Sequence, residues 1–223
     1  MTKTLFITGA SSGIGAATAR AAVDAGWTVG LFARSEDKIK ALADTLGDAA
    51  IALPGDATDY AAQEDALQVL AEHSGQIDAV FANAGRGIST TGAEAGEIEE
   101  WQGLVDLNIM GLLKTVRASL PHLHKTKGHM VLTGSAAGRR HLSGSVYGAT
   151  KWFVHGFGGN LAEEMKEWGG RCTVVAPGMV NTEFFDEPKP GKLEPEDVAA
   201  AVMHALNAPA RNSVREVFLM PTT

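Results

Sequence analysis

Short apolar runs alternate along the chain with longer segments in which apolar residues recur at helical spacing. Residues 61–73, AAQEDALQVLAEH, are typical of the longer segments and predict a helix. The short runs predict strands at residues 3–8, 28–33, 50–54, 78–82, 128–133, 171–176 and 215–220. Because several runs are apolar on both sides of the pleat, we expect a parallel sheet covered by helices on both faces. Right-handed crossovers then predict a doubly wound α/β fold.

The composition fits one globular domain over residues 1–223. Hydrophobic residues make up 45% of the 223 positions, which is enough for a substantial core. No internal repeat, low-complexity segment or long Pro/Gly-rich linker divides the chain.

The charge balance argues against two classes of partner. Lys and Arg number 19 against 26 Asp and Glu, a formal net charge of -7, which repels nucleic acid and anionic membranes. No stretch approaches the roughly 20 apolar residues of a membrane span, and the N-terminus MTKTLFIT does not resemble a secretion signal. With the lone Cys172, which cannot form an intramolecular disulfide, these features predict a cytoplasmic protein.

A cluster of glycines follows the first predicted strand. The segment TGASSGIG places Gly9, Gly13 and Gly15 beside Ser11 and Ser12, at a strand-to-helix turn. A helix N-terminus there offers free N–H groups to an anion such as a pyrophosphate. The spacing G-x-x-x-G-x-G departs from the commonest dinucleotide fingerprint, so the turn alone leaves a purely structural role equally open.

A second cluster has the composition of an acid/base site. Tyr147 and Lys151 are four residues apart on a predicted helix and therefore share one face. A nearby ammonium is expected to lower the tyrosine pKa, which makes the phenol a usable proton donor and acceptor. Ser135, at the end of a predicted strand, has a hydroxyl suited to a substrate oxygen.

Metal binding is not expected. His122, His124 and His129 lie close in sequence, but no acidic or cysteine ligand accompanies them. Cys172 falls in an apolar run and is interpreted as a small core residue.

These motifs together resemble the classical short-chain dehydrogenase/reductase family over nearly the whole chain. The motifs are TGASSGIG at the first turn, GDATD, NAG, DLNIMG with Asn108, Ser135, Tyr147 with Lys151, and PGMVNT. The resemblance implies a seven-stranded parallel Rossmann-type sheet and a nicotinamide cofactor. It also implies hydride transfer between that cofactor and a carbonyl or alcohol carbon of a small-molecule substrate.

The resemblance assigns four catalytic residues. Tyr147 would exchange a proton with the substrate oxygen, and Ser135 would polarise that oxygen. Lys151 would lower the tyrosine pKa and hold the nicotinamide ribose. Asn108 would kink its helix and hold a water linked to Lys151. The alternative is a catalytically silent regulatory or scaffold protein that binds nucleotide with the same fold.

The second predicted strand favours NADP over NAD. Ala33 stands where NAD-dependent family members usually carry an acidic residue, while Arg34 and Ser35 follow and suit a 2′-phosphate. The resemblance implies further cofactor contacts at Gly9, Ser11, Ser12, Gly13, Ile14, Gly15, Asp56, Ala57, Asn83, Ala84, Gly85, Tyr147, Lys151, Pro177, Gly178, Val180 and Thr182.

The substrate region is less specific. Residues 183–197 correspond to the family's substrate lid, here short and acidic, with Phe184 and Phe185 as either apolar substrate contacts or loop anchors. Arg139 and Arg140 are candidates for a substrate carboxylate, although surface arginines are common. The helix that carries Lys151 is the expected subunit interface, so the resemblance implies a homo-oligomer, a dimer or tetramer.

Overall fold

Seven parallel strands form the centre of the molecule, which we describe from a computed structural model over residues 2–90, 92–185 and 187–222. The strands are β1 Thr4–Thr8, β2 Thr28–Ala33, β3 Ala50–Pro54, β4 Ala79–Ala82, β5 His129–Thr133, β6 Arg171–Pro177 and β7 Glu216–Leu219. Their order across the sheet is β3-β2-β1-β4-β5-β6-β7. Each lies within one residue of a predicted strand, so the predicted fold class is confirmed.

The helices cover both faces of the sheet. They are α1 Gly13–Asp24, α2 Glu36–Leu46, α3 Tyr60–Ser74, α4 Ile98–Val105, α5 Leu112–Thr126, α6 Val146–Lys166 and α7 Pro195–Asn207. One apolar core joins α1, α2 and α7 to the sheet, and the other joins α3, α5 and α6. Strand β1 shows why its run is continuous, because Leu5 and Ile7 enter the first core while Phe6 enters the second.

The helical segment between β4 and β5 is interrupted. A π-helical turn, Asp106–Gly111, separates α4 from α5 and contains Asn108. Such turns widen the helix by one residue and are frequent at functional sites. Here the turn aims the Asn108 side chain at the backbone of Arg86 and at α6.

Strand order determines where a ligand can bind. From β1 the chain adds β2 and β3 on one side, and it then returns to the other side of β1 to add β4 to β7. A crevice forms outside the carboxyl ends of the strands at such a switch point, here between β1 and β4. Within the described ranges, no helix has the length and apolar character needed to cross a membrane. The predicted lid, residues 183–197, includes Asp186, and the predicted domain includes Met1, Thr91 and Thr223, all of which lie outside the described residues.

Candidate active site

A cleft of about 660 Å³ opens at the carboxyl edge of the sheet. Its walls are the turns that follow β1 to β6 together with the start of α6 and the first residues of the lid region. The glycine turn and the Tyr147–Lys151 pair therefore face one cavity, although they are far apart in sequence.

The turn between β1 and α1 contains glycines because no side chain fits there. A Cβ on Gly9, whose φ is +67°, would lie 2.9 Å from the Cα of Ala84, and one on Gly15 would lie 2.2 Å from the Gly9 carbonyl oxygen. Ser12 is the N-cap of α1, yet its side chain makes no capping hydrogen bond. The first N–H groups of α1 are thus left for an anion at the cleft, where Gly13 forms part of the wall.

The end of β2 carries the positive charge at one end of the cleft. The side chain of Arg34 is 77% exposed, and its Nη1 lies 3.9 Å from Oδ2 of Asp56. Burial opposes ionisation of Asp56, but hydrogen bonds from the Thr58 amide and hydroxyl and the charge of Arg34 together lower the pKa of its carboxyl. Asp56 is therefore ionised at neutral pH, and Arg34 lies beside it with most of its side chain exposed to solvent.

Asn83 links the glycine turn to the middle of the sheet. Its Nδ2 donates to the carbonyl oxygens of Thr8 at 3.1 Å and Gly9 at 3.2 Å. Its Oδ1 accepts from the Thr133 hydroxyl at 3.1 Å. The amide thus holds the ends of β1, β4 and β5 together, a structural role alongside its place on the cleft wall.

The Ser135, Tyr147 and Lys151 side chains share one wall of the cleft. Ser135 follows β5 and begins a short 3₁₀ turn, and its Oγ accepts from the Ala137 amide at 3.1 Å. Lys151 lies one helical turn after Tyr147, with its Nζ 5.8 Å from the tyrosine ring centre. The same Nζ donates to the Thr133 carbonyl oxygen at 2.8 Å.

The protonation of this group differs from the sequence expectation. Burial raises the pKa of Tyr147 above its ordinary value, and a hydrogen bond with Ser135 opposes that rise. Burial also lowers the pKa of Lys151 to about 8. In this resting geometry the charge of Lys151 does not offset the effect of burial on the phenol, and its ammonium contacts the Thr133 carbonyl oxygen. At neutral pH both groups keep their protons, so Tyr147 has a proton to donate.

Asn108 lies behind this wall. Its Oδ1 accepts from the Arg86 amide at 2.9 Å, and its Nδ2 donates to the Arg86 carbonyl oxygen at 3.0 Å and to the Thr150 hydroxyl at 3.3 Å. Because Thr150 precedes Lys151, the amide connects the π-helical turn, the loop after β4 and α6. Both polar atoms of the side chain are engaged, and any link to Lys151 through water remains a prediction.

The segment after β6 closes one side of the cleft. Gly178 donates its amide to the Leu219 carbonyl oxygen at 2.7 Å, which fixes the turn. The methyl group of Thr182 lies 3.2 Å from where a Cβ on Gly13 would stand. Phe184 packs its ring 5.6 Å from that of Tyr147, yet 43% of it is exposed. The aromatic side chain thus borders the proton donor and can contact a substrate there.

The cleft wall contains every predicted catalytic and cofactor residue except Gly15 and Asn108, which lie behind it. The two arginines that are candidates for a substrate carboxylate, Arg139 and Arg140, lie in different places. Arg139 pairs with Glu216 of β7 and does not line the cleft, whereas Arg140 does line it.

Sequence reasoning missed the supporting residues Thr133, Thr150, His155 and Glu216. Thr150 could have been noticed beside Lys151, but nothing in the sequence brings Glu216 near Ser135.

His124 and His129, near the end of α5, contact neighbouring side chains of the protein. His129 is buried with its Nε2 2.7 Å from the Thr173 hydroxyl, and the ring of His124 packs 5.0 Å from that of Trp168. Over the residues that the structure describes, no group of three or more His, Cys, Asp and Glu side chains could hold a metal ion.

Comparison with known proteins agrees with this geometry. A family model described as short chain dehydrogenase matches residues 3–192. Serine 3-dehydrogenase of Agrobacterium fabrum is 36% identical, covering 99% of this chain and 94% of that protein. An NADP-dependent 3-hydroxy acid dehydrogenase of Salmonella typhi is 34% identical over 98% of this chain and 95% of its own length. An alcohol dehydrogenase of the archaeon Thermococcus sibiricus, solved with 5-hydroxy-NADP, superposes with a TM-score of 0.91 at 29% identity, covering 100% of this chain and 97% of that one.

Proposed function

This chain belongs to the short-chain dehydrogenase family, and we propose that it transfers hydride between NADP and a carbonyl or secondary alcohol of a small molecule. The observation that carries the proposal is the single cleft shared by the glycine turn and the side chains of Ser135, Tyr147 and Lys151. A catalytically silent scaffold would not need a buried phenol and a buried amine on one wall, and the relatives reported above are named as dehydrogenases.

The cleft fits a dinucleotide. The glycine turn leaves backbone N–H groups of α1 open for a pyrophosphate, and the side chain of Arg34 stands exposed beside the wall at the end of β2. Asp56 and Ala57 are proposed for the adenine and Asn83 to Gly85 for its ribose. Val180 and Thr182, after the turn at Pro177 and Gly178, are proposed for the carboxamide. The bound nicotinamide supplies or accepts the hydride.

The protein's own groups handle the proton and the substrate oxygen. In the reduction direction Tyr147, which holds its proton at neutral pH, donates it to the carbonyl oxygen as that oxygen gains charge. The Ser135 hydroxyl donates a hydrogen bond to the same oxygen and polarises the carbonyl. Lys151 carries a positive charge below a pH of about 8 and stabilises the phenolate left on Tyr147. Asn108 and Thr133 hold these groups in place through the hydrogen bonds described above.

We propose that the favoured substrates are hydroxy acids. Among the described residues, three arginines line the cleft. Arg34 stands beside Asp56, and Arg86 donates its Nε to the Gly87 carbonyl oxygen at 3.4 Å. The guanidinium of Arg140 makes no hydrogen bond or ion pair within the described residues, and Arg140 follows Ser135 closely in the chain. It is therefore available for a substrate carboxylate, the group that the names of two relatives, a serine dehydrogenase and a 3-hydroxy acid dehydrogenase, also imply for their own substrates.

The test is a substrate panel followed by one charge removal. We expect NADP reduction, followed by nicotinamide absorbance, with 3-hydroxy acids such as serine and 3-hydroxybutyrate, and weaker activity with neutral secondary alcohols. Arg140→Gln should raise KM for the acids about tenfold and leave KM for neutral alcohols unchanged. Arg20→Gln, an exposed arginine of α1 outside the cleft, is the matched control. No NADP-dependent turnover with any member of the panel would defeat the proposed function, while equal KM changes for acids and alcohols would defeat only the role of Arg140.

The assembly and location follow from the family and stay proposals. We propose a cytoplasmic homo-oligomer, a dimer or tetramer, formed from one domain over residues 1–223 with residues 183–197 as its lid. On α6, Trp152 is 43% exposed, and Gly156 and Gly159 have open space where a Cβ would stand. A helix surface of this kind permits close approach of a second copy.

A further inference from the structure

A buried histidine contacts the backbone of the serine on the active-site wall. His155 lies one helical turn beyond Lys151 on α6, and only 5% of its side chain is exposed. Its Nε2 is 3.0 Å from the Ser135 carbonyl oxygen and 3.5 Å from the Ser135 amide. Because a carbonyl oxygen can only accept, the 3.0 Å contact is a hydrogen bond in the tautomer that carries its proton on Nε2, whereas the longer contact with the amide needs an unprotonated Nε2.

The backbone around Ser135 leaves space for this ring. A Cβ on Gly134 would lie 2.9 Å from Nε2 of His155, and one on Gly138 would lie 2.6 Å from its Cδ2. The imidazole therefore occupies volume that any larger residue at positions 134 and 138 would fill. The two glycines bracket the turn that begins at Ser135, so ring and turn constrain each other.

The opposite edge of the ring faces a pair of charges. Nδ1 of His155 is 3.4 Å from Oε1 of Glu216 on β7, and it makes no hydrogen bond within the part of the chain that the structure describes. Glu216 is held by Arg139, whose Nε donates to Oε1 at 3.0 Å and whose Nη2 bonds Oε2. Burial lowers the pKa of His155, a shift that the positive charges of Arg139 and Lys151 reinforce and that the Ser135 carbonyl and Glu216 oppose.

We propose that His155 is a positioning residue that fixes the Ser135 backbone, and with it the Ser135 hydroxyl, through a hydrogen bond from Nε2 to the Ser135 carbonyl oxygen. The Ser135 Oγ accepts a hydrogen bond from the Ala137 amide and forms another with Tyr147. The direction of the hydroxyl therefore depends on the backbone conformation at position 135. Small displacements of a group that must meet a developing charge are costly, about a hundredfold for 1 Å. The expected effect on kcat rests on the proposed function, whereas the hydrogen bond between His155 and Ser135 can be tested without it.

The first experiment compares two amides at position 155. In His155→Gln the side-chain Nε2 can reach the Ser135 carbonyl oxygen, whereas in the shorter His155→Asn it cannot. We expect His155→Asn to lower kcat about tenfold to a hundredfold with KM and the NADPH Kd nearly unchanged, and His155→Gln to restore kcat to within about threefold of the parent. His124→Asn, on α5 and away from the cleft, is the control, and thermal melting confirms that each variant is folded. Equal losses in the two amide variants, or no loss in His155→Asn, would overturn the proposal.

The second experiment needs no substrate. Long-range ¹H–¹⁵N NMR of the imidazole rings, assigned with the His155 variants, should show the Nε2–H form at neutral pH. Glu216→Gln should lower the His155 pKa further, because the carboxylate that favours the charged ring is removed. An Nδ1–H ring would overturn the proposal even in an active enzyme. An inactive parent protein with the Nε2–H ring would instead contradict the proposed function and leave the hydrogen bond established.

Discussion

Removing the charge of Arg34 should change which nicotinamide dinucleotide the protein prefers. A guanidinium that bonds a phosphate contributes about 1.5–3 kcal/mol. The side chain of Arg34 is 77% exposed, so solvent screens the contact and the lower end of that range applies. A loss near 1.4 kcal/mol corresponds to about a tenfold increase in the NADPH Kd for Arg34→Ala, with the NADH Kd unchanged.

A second substitution should reverse the preference. Ala33 ends β2 and is buried, 7% exposed, so Ala33→Asp places a carboxylate where ribose hydroxyls are proposed to lie. Combined with Arg34→Ala it should favour NADH, although Asp56 nearby adds repulsion that limits the gain.

The assay is isothermal titration with NADPH and NADH at fixed salt. Raising the salt should weaken the binding of NADPH to the parent protein more than the binding of NADH, because only NADPH carries the 2′-phosphate. Lys40→Ala removes one positive charge from α2, where Lys40 pairs with Glu36 outside the cleft, and controls for net charge. The reasoning fails if the parent protein binds NADH as tightly as NADPH, or if Lys40→Ala weakens NADPH binding as much as Arg34→Ala does.

Three further predictions follow from the proton donor, the core and the surface of α6. Tyr147→Phe keeps the ring but removes the transferable proton, so kcat should fall about a hundredfold or more in steady-state assays while the NADPH Kd stays nearly constant; retained turnover would contradict the proposed acid. Burial lowers the pKa of His129 to about 3, so its folded form stays neutral and the free energy of unfolding should fall by up to about 1.4 kcal/mol per unit as pH drops from 6.5 toward 3. Urea titrations should show a shallower fall for His129→Gln, and equal slopes would refute the assignment. Multi-angle light scattering should show a dimer or tetramer that Trp152→Glu weakens, and a monomeric parent protein would return Trp152 to ordinary surface packing.

The strands could be predicted because each depends on a local pattern. A run such as residues 128–133 is apolar on both faces because helices cover both sides of the sheet. This pattern can be recognised from the run itself, without knowing which strands lie beside it. The glycine turn could be placed for the same reason. Gly9 has a positive φ and lies close to the backbone of Ala84, and both requirements favour glycine over other residues. The turn is therefore visible in the sequence as a conspicuous glycine.

The supporting hydrogen bonds could not be predicted because they join residues distant in sequence. The contact of Lys151 with the Thr133 carbonyl uses a backbone atom, which every residue carries and no motif marks. The pKa of Tyr147 was expected to fall because only the charge of Lys151 was considered. Enclosure of both groups acts in the opposite direction on the phenol, and burial depends on the whole fold.

Burial also explains how the cleft can hold the protonated phenol of Tyr147 and the ammonium of Lys151 without a carboxylate between them. Lys151 is 7% exposed, and the partner that its Nζ contacts is a carbonyl dipole at 2.8 Å, which offsets only part of the cost of burying an ammonium. Its pKa of about 8 is the measure of that incomplete compensation. Proton loss from Tyr147 places a negative charge near this amine, so the ammonium offsets part of the cost that burial imposes on the phenolate. The raised pKa keeps the proton on Tyr147 at rest, and the nearby ammonium reduces the cost of transferring that proton when the substrate oxygen gains charge.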